Sequence, residues 1–218
     1  MTKLRMSWPN RITIGRILLI VPFVIAMLHI NDPRYSPWSR YTALIIFLVM
    51  AISDGLDGWM ARRNDCITRL GTFLDPLADK LLITCACLLL AAEKTSVAGM
   101  KLPDAVVVII IGKDLYTTLG FLIIFLVTSE MKIVPAAAGK WSTTLQLAMV
   151  VATLLSPDIT PLFGYYSYLV QGIWWATVVM AILTIVIYTR NGTRYLNEYE
   201  QRMKNHTLGS PDNTPPSK

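Results

Sequence analysis

The stretch SDGLDGWMARRNDCITRLGTFLDPLADKL, residues 53–81, decides how the rest of the chain is to be read. An apolar run from Trp38 ends at Ser53, and the sequence then carries Asp54, Asp57 and Arg62 without a proline or other helix stop before Asn64. This predicts one helix that leaves an apolar environment carrying charge. Asp54 and Asp57 stand at i and i+3 and share a face, and Asp75 and Asp79 repeat the relation at i and i+4 on the next helix. Four carboxylates thus converge at one edge. Like charges this close in a low-dielectric setting either hold protons or demand cations, and hard oxygen ligands select Mg²⁺, Mn²⁺ or Ca²⁺ over zinc. A divalent-metal site is expected. Gly58, four residues after Asp54, and Gly71, four before Asp75, remove side chains from the acidic face and leave room for something bulky. Arg62 lies eight residues after Asp54 on nearly the same face, where a guanidinium suits a phosphate held bidentately.

Outward from this stretch the chain is strongly apolar. Of its 218 residues 54% are hydrophobic and only 16% charged, with mean hydropathy +0.49. Ordinary soluble domains carry about 25% charged residues, so this chain lacks the polar surface to coat a globule in water. Six spans of roughly 20 residues need about 120 apolar residues, which the composition supplies, leaving nothing for a second soluble domain. Apolar runs fall at about 12–30, 38–53, 70–92, 103–128, 141–155 and 168–188. Pro103 suits a first helical turn. Residues 1–11, with Lys3, Arg5, Arg11 and Trp8, read as a short interfacial segment; with no small-residue cleavage site after the first run, a signal peptide is not expected. The expected fold class is therefore an all-α integral membrane protein with six transmembrane helices and a short N-terminal interfacial segment. Its membrane domain occupies 1–190, and 191–218 form a polar cytoplasmic tail ending in the disorder-prone GSPDNTPPSK.

With six spans, one side receives Lys3, Arg5, Arg11, Arg16, Arg62, Arg63, Arg69, Lys132, Lys140 and the cations after 189, while the other receives only Arg34, Arg40, Lys94 and Lys101. The positive-inside rule then places both termini and the acidic cluster at the cytoplasmic face. The net charge of +6 is spread between apolar runs, which fits anionic lipid and not nucleic acid. Cys66, Cys85 and Cys87 form neither a disulfide framework nor a zinc site. His29 and His206 lie far from the aspartates in sequence, and no serine or cysteine nucleophile with a histidine base is evident. A carboxylate cluster in a membrane protein also suits a divalent-cation transporter, but the aspartates lie at one edge and nothing acidic continues a path outward.

From Asp54 to Asp79 the sequence reads D-x2-D-G-x2-A-R-x8-G-x3-D-x3-D, with Asp54, Asp57, Gly58, Ala61, Arg62, Gly71, Asp75 and Asp79 in the fixed places. This pattern resembles the CDP-alcohol phosphotransferase family. The resemblance implies six transmembrane helices, a homodimer, two divalent ions (Mg²⁺ or Mn²⁺), and transfer of a phosphatidyl group from CDP-diacylglycerol to an alcohol with release of CMP. It also implies that Asp54, Asp57 and Asp75 hold the metals with help from Asp79, and that Asp57, Gly58, Ala61, Arg62 and Gly71 line the nucleotide pocket. Asp79, one turn beyond Asp75, is the expected general base. A location in the bacterial inner membrane follows, with lipid tails in the bilayer and the nucleotide at the cytoplasmic face.

PNRITIGR near the start, GTFLDPLADKLL and GKWSTTLQ resemble the phosphatidylglycerophosphate-forming branch, whose acceptor is glycerol 3-phosphate. Lys113, Lys140 and Arg16 are the candidates for holding the acceptor phosphate, because a dianion entering a membrane site needs fixed cations. GKDLYTTLGF, in the fourth run, stands where that branch carries Gly-Arg-Glu, and Lys113–Asp114 resembles the Arg-Asp pair of the cardiolipin-forming branch. Phosphatidylglycerol is thus the alternative acceptor. The inositol-phosphate branch fits less well, since it carries a serine after the third aspartate and an arginine after the fourth.

Overall fold

A computed structural model describes the backbone of residues 8–64, 69–128 and 137–208; the side chains of 8–14, 54–64 and 69–79 are among those outside the described residues. Among the described residues the regular structure is helical, apart from an isolated bridge between Val97 and Met100. The helices are α1 (Trp8–Leu28), α2 (Ser36–Asn64), α3 (Arg69–Ala91), α4 (Asp104–Thr128), α5 (Ala137–Ile159) and α6 (Tyr166–Leu208).

Helices α3 and α4 follow the apolar pattern closely, and α2 runs through the charged segment to Asn64. Three boundaries differ from the sequence reading. Helix α1 already begins at Trp8, inside the segment read as interfacial; residues 1–7 lie outside the described residues. Helix α5 extends to Ile159 through Pro157, which falls in its last turn and gives up one i→i−4 hydrogen bond there. Helix α6 continues past the apolar run to Leu208, although composition suggested a polar tail from 191. No proline interrupts 189–208, and Glu198 and Arg202, like Glu200 and Lys204, are spaced four apart, a pattern that supports a solvated helix. Residues 209–218 lie outside the described residues.

One core runs through all six helices. Phe23 and Met27 of α1, Phe47 and Met50 of α2, Leu82, Ile83 and Leu90 of α3, Ile110 of α4, Met149 and Leu154 of α5, and Val170 and Trp174 of α6 are buried in it. Helix α1 packs on both α2 and α3, while α6 packs on α4 and α5. Polar ties cross the apolar contacts: Trp174 Nε1 donates to Thr153 Oγ1 at 3.0 Å, and Arg40 of α2 pairs with Asp158 of α5. The outside is apolar as well. Val108 is 69% exposed and Ile45 60%, with Leu18, Leu115, Leu119, Val179 and Ile182 also exposed. Soluble monomers rarely present contiguous apolar surface on this scale, whereas lipid-facing helices do.

By length and composition, one of the described helical segments suffices to cross a bilayer: Tyr166–Tyr195, 30 residues that contain an 18-residue window of mean hydropathy 2.1. Gly15–Leu28, Trp38–Ser53 and Lys80–Ala91 are shorter apolar stretches. The 43 residues of α6 extend about 65 Å, twice the hydrocarbon thickness of about 30 Å. Its polar C-terminal part therefore stands outside any bilayer that the apolar part spans.

Candidate active site

The helical backbone preserves the spacing on which the acidic pattern depends. Asp54, Asp57, Gly58, Ala61 and Arg62 lie in α2, and Gly71, Asp75 and Asp79 in α3. Measured from the connection at 65–68, Asp57 and Asp75 lie about 10 Å along their helices, and Asp54 and Asp79 about 15 Å. The carboxylates thus fall at two matched distances from that connection. Their side chains are outside the described residues, and among the described residues no group of three or more His, Cys, Asp or Glu side chains offers a metal site. The donor chemistry of the two helical segments is carboxylate, with no imidazole or thiol within 54–64 or 69–79, and that composition fits hard divalent ions.

Directly after Asp79, the described side chains form a buried polar network. Lys80 of α3 reaches across to α4, where its Nζ donates to Asp114 Oδ1 at 2.9 Å, to the Asp114 carbonyl at 3.3 Å and to Thr117 Oγ1 at 3.2 Å. The same Asp114 Oδ1 lies 2.8 Å from Lys113 Nζ. Lys113 also donates to Ser142 Oγ and Gln146 Oε1 of α5, each at 3.3 Å, and Gln146 Nε2 contacts Asp114 Oδ2 at 3.5 Å. Lys113 and Asp114 are only 4% and 6% exposed. Charges this buried are stable only when paired and hydrogen-bonded, and here one carboxylate joins α3, α4 and α5.

Sequence reading had singled out Lys113 as an acceptor-phosphate candidate but not Lys80, Thr117, Ser142 or Gln146 as its surroundings. A signal was present. Lys113 and Thr117, like Ser142 and Gln146, are polar positions four apart in apolar runs, which puts a polar stripe on each of two helices.

The other two acceptor-phosphate candidates occupy different settings. Arg16 is buried at 2% exposure and borders a cavity of about 340 Å³, lined also by Gly15, Leu19, Met50 and Ser53, between α1 and α2. Ser53 immediately precedes Asp54, so this cavity adjoins the acidic segment in the chain. Lys140 is exposed. It sits two residues before Ser142, about 200° around α5, and so is not on the face that meets Lys113. The start of α5 is close against α6: Thr184 Oγ1 donates to the Ala138 carbonyl at 3.3 Å, and a Cβ on Gly139 would lie 3.0 Å from the Tyr188 hydroxyl oxygen.

The family model for CDP-alcohol phosphatidyltransferase matches residues 6–187. Among curated relatives, a rice protein named cardiolipin synthase (CMP-forming) is 29% identical over 201 residues, which cover 88% of this chain and 59% of that protein. A Bacillus subtilis protein named CDP-diacylglycerol--glycerol-3-phosphate 3-phosphatidyltransferase is 34% identical over 154 residues, 67% of this chain and 76% of that protein. An Escherichia coli K12 protein of the same name is 33% identical over 158 residues, covering 69% and 78%. The chain thus spans about three fifths of the rice relative and about three quarters of the bacterial ones. With the eight-residue pattern unbroken on α2 and α3 and the family match reaching into every helix, the chain belongs to the CDP-alcohol phosphatidyltransferase family.

Proposed function

We propose that this chain transfers the phosphatidyl group of CDP-diacylglycerol to glycerol 3-phosphate, giving phosphatidylglycerophosphate and CMP. The observation that carries this reading is the complete acidic pattern on two consecutive helices, in a chain similar over two thirds of its length to bacterial proteins named for that reaction.

Phosphoryl transfer asks the protein mainly to position reactants and neutralise charge. Asp54, Asp57 and Asp75, with Asp79, are the residues to hold two divalent ions. Those ions, Mg²⁺ or Mn²⁺, neutralise the diphosphate and stabilise the departing CMP when bound. Gly58, Ala61 and Gly71 leave space for the nucleotide beside Asp57, and Arg62 holds a phosphate oxygen pair. Asp79 accepts the proton of the glycerol 3-phosphate hydroxyl as its oxygen attacks the phosphorus bearing diacylglycerol. A new P–O bond forms, the diphosphate P–O bond breaks, and its electron pair leaves with CMP. Lys113 and Arg16, with Lys140 nearer the surface, supply positive charge for the second anionic substrate.

The same reading places six transmembrane helices around this chemistry. The exposed apolar side chains on every helix support it, and so does the clustering of cations at one end of the spans. Both termini and the site then lie at the cytoplasmic face of an inner membrane, with residues 1–190 as the membrane domain and 191–218 outside it. Two copies form a homodimer, as the family resemblance implies.

A second acceptor has its own support. The rice cardiolipin synthase aligns over 88% of this chain, and Lys113–Asp114 resembles the Arg-Asp pair of that branch. Incubation of the purified protein with CDP-diacylglycerol and, separately, glycerol 3-phosphate, phosphatidylglycerol or inositol phosphate tests the assignment through the lipid formed. Phosphatidylglycerophosphate is expected, and cardiolipin from phosphatidylglycerol alone would replace the first reading with the second.

A further inference from the structure

Asp114 is the one carboxylate that the described structure places in contact with α3, α4 and α5 together. Its α3 partner is Lys80, the residue directly after Asp79. All three acceptors of the Lys80 ammonium lie on α4: the Asp114 carboxylate, the Asp114 carbonyl and the Thr117 hydroxyl. Thr117 is itself tied to the Asp114 carbonyl at 3.1 Å, and Thr118 to the same carbonyl at 2.7 Å. Lys80 therefore docks onto a fixed patch of α4 and not onto a mobile side chain alone.

Rotation of a helix by one residue is about 100°, so the azimuth of α3 decides where Asp75 and Asp79 aim. In lipid, where the tails are as apolar as the side chains, no hydrophobic driving force sets that azimuth, and side-chain packing and interhelical hydrogen bonds share the task. A charge-assisted hydrogen bond between helices specifies it strongly. We propose that Asp114, acting through Lys80, is a positioning residue for the metal-binding carboxylates: it fixes the rotation of α3, the helix that carries Asp75 and Asp79. Lys113, Ser142 and Gln146 hold the Asp114 carboxylate from the α5 side, which keeps the anchor itself from turning. This inference rests on the proposed assignment of Asp75 and Asp79 to metal binding, and it adds residues outside the family pattern to the machinery.

The test uses the full-length protein in detergent with Mn²⁺ as probe, read by electron paramagnetic resonance as well as by CMP release. Asp114→Asn and Lys80→Met are each expected to weaken Mn²⁺ binding about tenfold and to lower kcat by one to two orders of magnitude, while the KM for CDP-diacylglycerol stays within about twofold. The double variant is expected to lose no more than either single one, because both break the same link. Asp114→Glu, which keeps the charge, is expected to recover part of the Mn²⁺ affinity. Lys80→Met leaves the Lys113–Asp114 pair in place, so it keeps the question open to test if Asp114→Asn does not fold. Asp158→Asn, which removes the Arg40 ion pair far along α2, is the structural control: it lowers the melting temperature and leaves Mn²⁺ affinity unchanged. Wild-type Mn²⁺ affinity in folded Asp114→Asn or Lys80→Met, additive losses in the double variant, or an equal loss in Asp158→Asn would each overturn the inference. A wild-type protein that binds Mn²⁺ but releases no CMP would refute the proposed reaction, and the binding arm would still decide the role of Asp114.

Discussion

Lys80 and Asp114, 34 residues apart in the chain, meet at 2.9 Å and join the helix that carries Asp79 to the helix that carries Lys113. The contact links Lys80, the residue after the proposed general base Asp79, to the network that holds Lys113. It ties α3 to α4 directly after Asp79 in the chain. The cavity that Arg16 borders lies between α1 and α2.

Asp79 separates base from ligand roles. With Asp79→Asn, CDP-diacylglycerol binding is expected to hold within a few fold while kcat falls on the order of a hundredfold, since the change removes proton acceptance and little ground-state binding. Steady-state kinetics with both substrates varied give the split. Loss of nucleotide affinity together with recovery of rate at high Mn²⁺ would make Asp79 chiefly a ligand.

Asp57 is expected to be less forgiving, because a ligand and a charge vanish together. Asp57→Asn is expected to lower turnover by on the order of a hundredfold or more at saturating CDP-diacylglycerol. CMP release is the readout, and activity near wild type would remove Asp57 from the metal site.

The acceptor cations are expected to differ from one another. Lys113→Ala takes a buried ammonium from the network and is expected to raise the KM for glycerol 3-phosphate about tenfold, equivalent to about 1.4 kcal/mol of binding. Lys140 lies exposed on another face of α5, and its alanine variant is expected to shift that KM by no more than about threefold, in keeping with a solvent-screened charge. An equal effect of the two substitutions would contradict the burial difference as the deciding factor.

Much of this architecture was legible from residues alone, for definable reasons. Helix α2 was traceable through its charges to Asn64 because nothing in that segment stops a helix, and the four aspartates kept helical spacing on both sides of the connection. The extension of α6 to Leu208 was not legible, since a polar segment with helical charge spacing resembles a tail once apolarity is the criterion. Nor was the 2.8 Å contact of Lys113 with Asp114, because adjacent helical residues ordinarily point apart. Only the carboxylate's bridging position brings them together. Lys80 was hidden for a different reason: its partners lie on another helix, and a single sequence does not say which faces of two helices meet.

Gly139 offers a test of the α5–α6 contact independent of the chemistry. A Cβ there would approach the Tyr188 hydroxyl oxygen to 3.0 Å, closer than atoms normally pack. Gly139→Ala is therefore expected to cost about 1 kcal/mol in detergent thermal unfolding, and Tyr188→Phe in the same chain is expected to return most of it by removing the crowding oxygen. A Gly139→Ala variant as stable as wild type would show that Tyr188 moves aside freely.

In the proposed reaction a phosphatidyl group, and not a cytidylyl group, passes to the acceptor. The most direct measurement uses CDP-diacylglycerol labelled with radioactive phosphorus at the atom bearing diacylglycerol, with purified protein, glycerol 3-phosphate and Mg²⁺ or Mn²⁺. The account predicts that the label passes into phosphatidylglycerophosphate, that one unlabelled CMP is released per lipid formed, and that chelating the divalent ions stops both. Label left in phosphatidate while the cytidylyl group passes to glycerol 3-phosphate, or full turnover in excess chelator, would contradict it.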